Sequence, residues 1–358
     1  MGLSKISNLT LKCIAIGSLP CTNADEAMYI VEKYFPNIPF WPQLIKLNQK
    51  EDMIIQFLEN MPSFLPEKNY LDVDYKDFQN DLKTFFNDYN KIISDKNAFE
   101  INKYAISKNC ASTFERFLHL IKNKTPKFAK GQISGPFTLL TTLTDKNGKT
   151  AIHNPLYKEI IVKTLTIKAL WQIREIKKAS AETLPIIFID EPALGKVPLE
   201  DNTMRNYVLS MIKEISEIIQ AEGALCGVHC CAKCDWAIPI SAGVDIISLD
   251  VFSYPEILSL YHNEINSFLK RGGKLAFGIV PTREKNILKN LTIQDSENKF
   301  KEAVKNLTNN GINEKIIIDN LIITPACGAG SLDKSLAQKA MKMTFELSEK
   351  LKDIYSVR

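Results

Sequence analysis

The chain lacks several signatures at once, and each absence narrows what it can be. No apolar run reaches the ~18 residues that a membrane-spanning helix needs, so no membrane span is expected. The opening MGLSKISNLTLKCIAIGSLP has a short apolar run but no signal-peptide cleavage pattern. MGLSKIS also misses a myristoylation signal, because its hydroxyl residue, Ser7, stands one place too late. Neither G-x-G-x-x-G nor G-x-x-x-x-G-K-[ST] occurs, which removes the usual phosphate-cradling loops of nucleotide-binding sheets. Net charge is only +4, from 45 basic and 41 acidic residues, and the lysines are scattered. A phosphate backbone needs a concentrated basic face, so nucleic acid is not an expected partner. The expected address is the cytoplasm, where thiols stay reduced, so the eight cysteines are not read as disulfides.

With 45% hydrophobic and 24% charged residues over 358 positions, the chain can bury a large core without staples. Seven short apolar runs read as buried strands, each ending in small or polar residues and followed by helical sequence. They are LKCIAIGS (11–18), FAKGQISG (128–135), PIIFIDE (185–191), ALCGVHC (224–230), VDIISLD (244–250), KLAFGIV (274–280) and NLIITPAC (320–327). Helical periodicity fills stretches between them, such as 154–180 and 203–223, the second bounded by Asn202 as a cap and Gly223 as a stop. Continuous apolar strands alternating with helices specify a parallel sheet covered by helices. Seven βα units in a chain of this length favour an α/β fold of the TIM-type (β/α)8 barrel class over an open doubly wound sheet. The eighth strand is expected within the irregular stretch 36–127, which reads as an elaboration after the first strand. No linker or internal repeat interrupts the pattern, so residues 1–358 are expected to form one domain.

A barrel assembles its active site at the carboxyl ends of its strands. Here those ends carry Ser18, Asp190 with Glu191, His229 with Cys231, Asp250, and Cys327. In GVHCCAKCDW (227–236), His229 and Cys231 alternate along a strand end and can point the same way. Cys327 ends another strand and precedes the glycine-rich GAGS, which allows close backbone approach. One imidazole and two thiolates would hold Zn²⁺ by three ligands, with the fourth place for Asp250, water or substrate. Other readings of the same residues stand beside this one. Buried cysteines act as small hydrophobes, which is the reading for Cys13 and Cys226. Cys231-x-x-Cys234 could be a redox pair, though it lacks the helix-start placement of thioredoxin-like motifs. A four-cysteine structural zinc site would need a second knuckle, which is absent, and His229 could be a satisfied core histidine. Asp190 and Glu191 could merely cap the helix that follows, or one could bind a substrate ammonium group. Ser18, with nearby backbone N–H groups, could hold a carboxylate. Together these groups suit an amino acid that bears a thiol.

The segments IGSLP, GQISGPFTLL, IFIDEPAL, VHCCAKCDW, DIISLD and ITPACG, in that order from Ile14 to Leu332, resemble the catalytic half of cobalamin-independent methionine synthase. That half is similar in turn to uroporphyrinogen decarboxylase and corrinoid-linked methyltransferases. The resemblance implies a (β/α)8 barrel that binds zinc through His, two Cys and a Glu, with homocysteine entering the metal sphere. Carried over, His229, Cys231 and Cys327 match the ligands, and Asp250 stands where the family has Glu. Ser18 and Asp190, with Glu191 beside it, fall where the family holds the amino-acid end of homocysteine. Two departures are expected on the donor side: no counterpart of the family's preceding folate-side barrel is expected, and FGIVPTREKN stands where the family has a histidine-bearing YDIHS-like segment. The implied function is a zinc-dependent methyltransferase making methionine from homocysteine. Its expected donor is methylcobalamin or another methyl-corrinoid, free or on a corrinoid protein partner. Cys230 and Cys234 are read as structural or supporting. A different small-thiol acceptor, such as coenzyme M, and a non-catalytic metal- or corrinoid-binding barrel are the alternatives. A porphyrin decarboxylase would need many arginines around its propionates, and arginine occurs only at 116, 174, 205, 271, 283 and 358.

Overall fold

In a computed structural model that describes residues 7–357, the apolar runs become one parallel sheet. The opening MGLSKI, and with it the reading of a lipid signal there, lies outside the described residues. A small antiparallel hairpin comes first in the chain, formed by β1 (Phe64–Leu65) and β2 (Tyr70–Leu71). The main sheet has six strands in chain order: β3 (Phe128–Ser134), β4 (Leu184–Asp190), β5 (Leu225–Cys230), β6 (Ile246–Asp250), β7 (Lys274–Val280) and β8 (Leu321–Pro325). Each pairs in parallel with the next, as continuous apolar strands joined through helices must.

Of the expected eight-stranded α/β barrel, the described residues form a six-stranded parallel half-barrel whose sheet is not closed. Residues 11–18 form no ladder. Cys13 makes an isolated bridge to Ile323 of β8, and Ser18 makes one to Gln43. Phe40 in turn bridges Lys130 of β3. Backbone bonds follow the same path: Ile14 N–H to Ile323 O at 2.9 Å, Leu19 N–H to Gln43 O at 3.0 Å, and Trp41 N–H to Lys130 O at 2.9 Å. Two extended segments thus run between the sheet's edges without regular pairing. Prolines 36, 39 and 42 explain part of this, since each lacks the N–H that a ladder requires.

Strand alternation separates the sheet's two faces. Phe128, Ile186, Phe188, Leu225, Ile246, Ala276 and Ile322 form one apolar cluster on the inner face, with Leu9, Ile14 and Ile38. Phe188 lies over Gly227, where an added Cβ would approach its ring to 2.4 Å, so the strand interior needs a glycine at that point. The outer face packs on helices: Pro155–Ala179 against β3 and β4, Asn202–Ala221 against β5, Ile293–Asn309 against β7, and Lys334–Ile354 against β7 and β8. The helix over 202–221 is capped by Asp201, which accepts from Met204 N–H at 2.9 Å, one residue before the expected Asn202. Gly223 does stop it, at φ +82°. Helix Pro155–Ala179 is buried on most of its surface because the elaboration covers it. Its Lys168, fully buried, donates to the carbonyls of Glu59 (2.8 Å) and Tyr104 (2.7 Å) in that elaboration. No helix among the described residues is long and apolar enough to cross a membrane.

Candidate metal centre

The polar residues continue the inner face above the apolar cluster, at the carboxyl ends of the strands. Register puts Asp190 beside His229, and His229 beside Ser248. His229 Nδ1 lies 3.0 Å from the Ser248 hydroxyl. With Nδ1–H donating to that oxygen, the ring's lone pair falls on Nε2. Nε2 is buried and has no hydrogen-bond partner. One residue on, Cys230 faces away from the cavity, and Cys231 faces back into it. Cys327 follows β8 by two residues, with its carbonyl accepting from the Thr282 hydroxyl at 3.1 Å.

Among the described residues, His229, Cys231 and Cys327 form a group whose ligand atoms all lie within 4.8 Å of one another. The Cys231 thiol is held well below the ordinary range, first by the hydrogen bond from the Cys327 thiol, then by His229 and the Arg283 guanidinium. The same bond pushes Cys327 up. Arg283 Nη1 stands 3.9 Å from Cys231 Sγ at the exposed rim. The donor set of one nitrogen and two sulfurs suits zinc. An orphaned buried Nε2, with the other ring nitrogen fixed by a hydroxyl, is what a metal-ligating imidazole requires. The residues present therefore fit a zinc ion.

A cavity of about 360 Å³ opens over this group and is lined also by Ser18, Asp190 and Gly328. Ser18 is locked against the turn at 328–330: its Oγ accepts from Gly330 N–H at 3.2 Å and its carbonyl from Ala329 N–H at 3.0 Å. A Cβ at Gly328 would sit 2.3 Å from Ser18 Oγ, so the glycine is what lets Ser18 hold its present position. Asp190 Oδ1 is buried without a partner. Burial pushes its carboxyl up, and the ammonium of Lys130 draws it back down. Lys130 is itself fully buried on the inner face, bonded to Ile16 O and, at 3.0 Å, to Gln132 Oε1.

Two expected site residues are not brought into this cavity. Glu191 is fully buried and its carboxylate accepts from Phe137 N–H (2.9 Å), Thr138 N–H (2.7 Å) and the Thr138 hydroxyl. It caps the first turn of helix Pro136–Thr142, as acidic residues at helix starts do. Asp250 lies outside the three-residue group, and both its oxygens are taken by Ser253: Oδ1 by the N–H (2.9 Å) and Oδ2 by the hydroxyl (2.7 Å). The expectation of Asp250 as fourth ligand is therefore not met in this arrangement. In return the elaboration contributes Gln43, Glu51 and Asp52 to the cavity wall, none of them foreseen. Glu51 is spent on structure, accepting from Leu44 N–H (2.7 Å) and Ser112 N–H (2.8 Å). Nothing in the periodicity of NQKEDM signals this placement. The polar alternation Lys130, Gln132, Ser134 within an otherwise apolar strand did carry a legible sign of the inner face.

No protein family and no curated protein matches the chain. Among solved structures, a methyltransferase from Methanosarcina mazei is similar over 98% of this chain and 97% of its own, at 12% identity and a TM-score of 0.48. Similarity at that level decides nothing about the site, whose chemistry follows from its own residues.

Proposed function

We propose that the chain is a zinc-dependent methyltransferase that moves a methyl group from a methyl-corrinoid to the thiol of homocysteine, giving methionine. One observation carries this reading: His229, with its free buried Nε2, converges with Cys231 and Cys327 in a cavity that also holds the unpartnered Oδ1 of Asp190. Zinc bound there would supply Lewis acidity that lets a thiol ionise at neutral pH and become a nucleophile. The protein's own residues would do the rest. Asp190 Oδ1, buried and without a donor, suits a substrate ammonium through a charge-assisted hydrogen bond. Ser18 and the turn at 328–330, across the same cavity, suit the carboxylate end. Holding both ends aims the sulfur and converts binding into placement. In the reaction the thiol gives up its proton to solvent water, and the new S–C bond forms as the methyl group's bond to the donor breaks. The leaving electron pair stays with the donor.

An acceptor such as coenzyme M has no ammonium group to meet Asp190, so the unpartnered Oδ1 favours the amino acid. The corrinoid donor, free or on a partner protein in the cytoplasm, rests on the sequence resemblance and on Val280 in place of the donor-side histidine. The half-barrel would be completed in this reading by residues 11–18 and 39–43, occupying the two places between β8 and β3. The test is methionine formation by the zinc-loaded protein from methylcobalamin and homocysteine, beside coenzyme M as acceptor. Methionine is expected, and methylation of coenzyme M alone would overturn the acceptor assignment.

A further inference from the structure

FGIVPTREKN, the stretch that departs from the resemblance, supplies the turn after β7, and that turn reaches both cysteines of the metal group. β7 ends at Val280, with a register shift against β8 between Gly278 and Val280. Such an irregularity bends a strand and re-aims the residues that follow. Val280 O then accepts from Ala326 N–H at 2.8 Å, which ties the turn to the chain just before Cys327. Pro281 and Thr282 are buried, and the Thr282 hydroxyl donates to Cys327 O at 3.1 Å. Arg283 comes next and is exposed, with Nη1 3.9 Å from Cys231 Sγ. Its choice of partner sets it apart. Among the described residues, Arg116, Arg174 and Arg205 each hold a carboxylate, Arg271 donates to the Ile240 carbonyl, and Arg283 forms no ion pair. Its hydrogen bond goes instead to a sulfur of the metal group.

We propose that Arg283 is a specificity-determining residue, whose positive charge beside Cys231 favours the thiolate acceptor over the thioether product. Two thiolates offset the charge of a zinc ion, and a neutral imidazole adds none. The loaded centre therefore carries no net charge. An acceptor bound through its thiolate leaves the centre with one negative charge. The same amino acid bound as a thioether leaves it neutral. A guanidinium held beside one sulfur stabilises the first state and has no charge to offset in the second. It stays protonated at any working pH, so this preference needs no titration. Homocysteine and methionine share their ammonium and carboxylate ends, so Asp190 and Ser18 cannot tell them apart. Arg283 can, and its hold weakens as the thiolate becomes a thioether, which eases product release. This preference rests on the zinc and acceptor readings above.

The test titrates homocysteine and methionine separately into the full zinc-loaded chain by isothermal calorimetry. Arg283→Gln keeps a polar side chain at the rim and removes its charge. Homocysteine should bind this variant about tenfold more weakly, the low end for a hydrogen bond between charged groups because Arg283 is exposed. Methionine should bind it as it binds the unaltered chain. Arg283→Lys, which restores the charge, should recover most of the loss. Equal weakening of both ligands in Arg283→Gln would mark a merely structural role and overturn the proposal. So would unchanged homocysteine affinity in that variant, or an Arg283→Lys chain as weak as Arg283→Gln. If the unaltered chain took up zinc but bound neither amino acid, the acceptor reading would fail, and this preference with it.

Discussion

Ser248→Ala probes the support of the metal centre without touching a ligand. Ser248 is fully buried on β6, and its hydroxyl lies 3.0 Å from His229 Nδ1. Removing it leaves Nδ1–H buried without an acceptor, at a cost of about 1–3 kcal/mol. The ring also loses what fixes its tautomer and aim. Loss of such supporting partners lowers metal affinity by about 10–100-fold, or about 1.4–2.7 kcal/mol, so the two scales agree. The assay is competition for zinc against a chromophoric chelator at neutral pH, with circular dichroism to confirm the fold. Stoichiometry at saturation should be unchanged and affinity lower by that factor. Ser253→Ala is the matched control: it frees Asp250 Oδ2 but removes no support from His229, and should leave affinity unaltered. Equal affinity in Ser248→Ala and the unaltered protein would refute the role assigned to His229. A large loss in Ser253→Ala would bring Asp250 back as a participant.

Asp190→Asn should leave zinc binding intact and weaken homocysteine binding by about 10–100-fold, the worth of one charged hydrogen bond, as read by isothermal titration. Gly328→Ala forces a Cβ to within 2.3 Å of Ser18 Oγ, so that serine must move and acceptor affinity should fall with little change in overall fold. Glu191 is raised from 4.5 to about 7 by burial. The folded state thus holds its proton more tightly than the unfolded one, and stability falls as pH rises from about 4.5 to about 7. The loss is up to about 3 kcal/mol. Urea unfolding across that window should show this slope in the unaltered protein and lose it in Glu191→Gln. A slope that survives the substitution would contradict the assignment.

Six strands were legible because each is a short, continuous apolar run closed by small residues, with helical sequence after it. LKCIAIGS has the same look, yet it meets its neighbours through single bridges, Cys13 to Ile323 and Ser18 to Gln43. Periodicity reports which side chains can be buried, not whether a partner strand offers hydrogen bonds along its length. The segment around Phe40 was hidden for the opposite reason, since its prolines erase the strand pattern while Trp41 still pairs with Lys130. Ser18, Asp190, His229, Cys231 and Cys327 were named from strand ends alone, and all five line one cavity. Glu191 and Asp250 stand at equivalent ends but spend their oxygens on Thr138 and Ser253. Such local acceptance cannot be read from position along a strand. Glu51 and Asp52 arrive from a loop with no periodic signature, placed by tertiary packing of the elaboration.

Zinc content of the purified chain, measured beside Cys231→Ser and Cys327→Ala, tests the central claim most directly. About one zinc per chain, lost in both variants while their fold is kept, is the expected result for an open three-ligand site. An unaltered protein that takes up no zinc on reconstitution, or variants that hold it as well as the unaltered chain, would contradict the account.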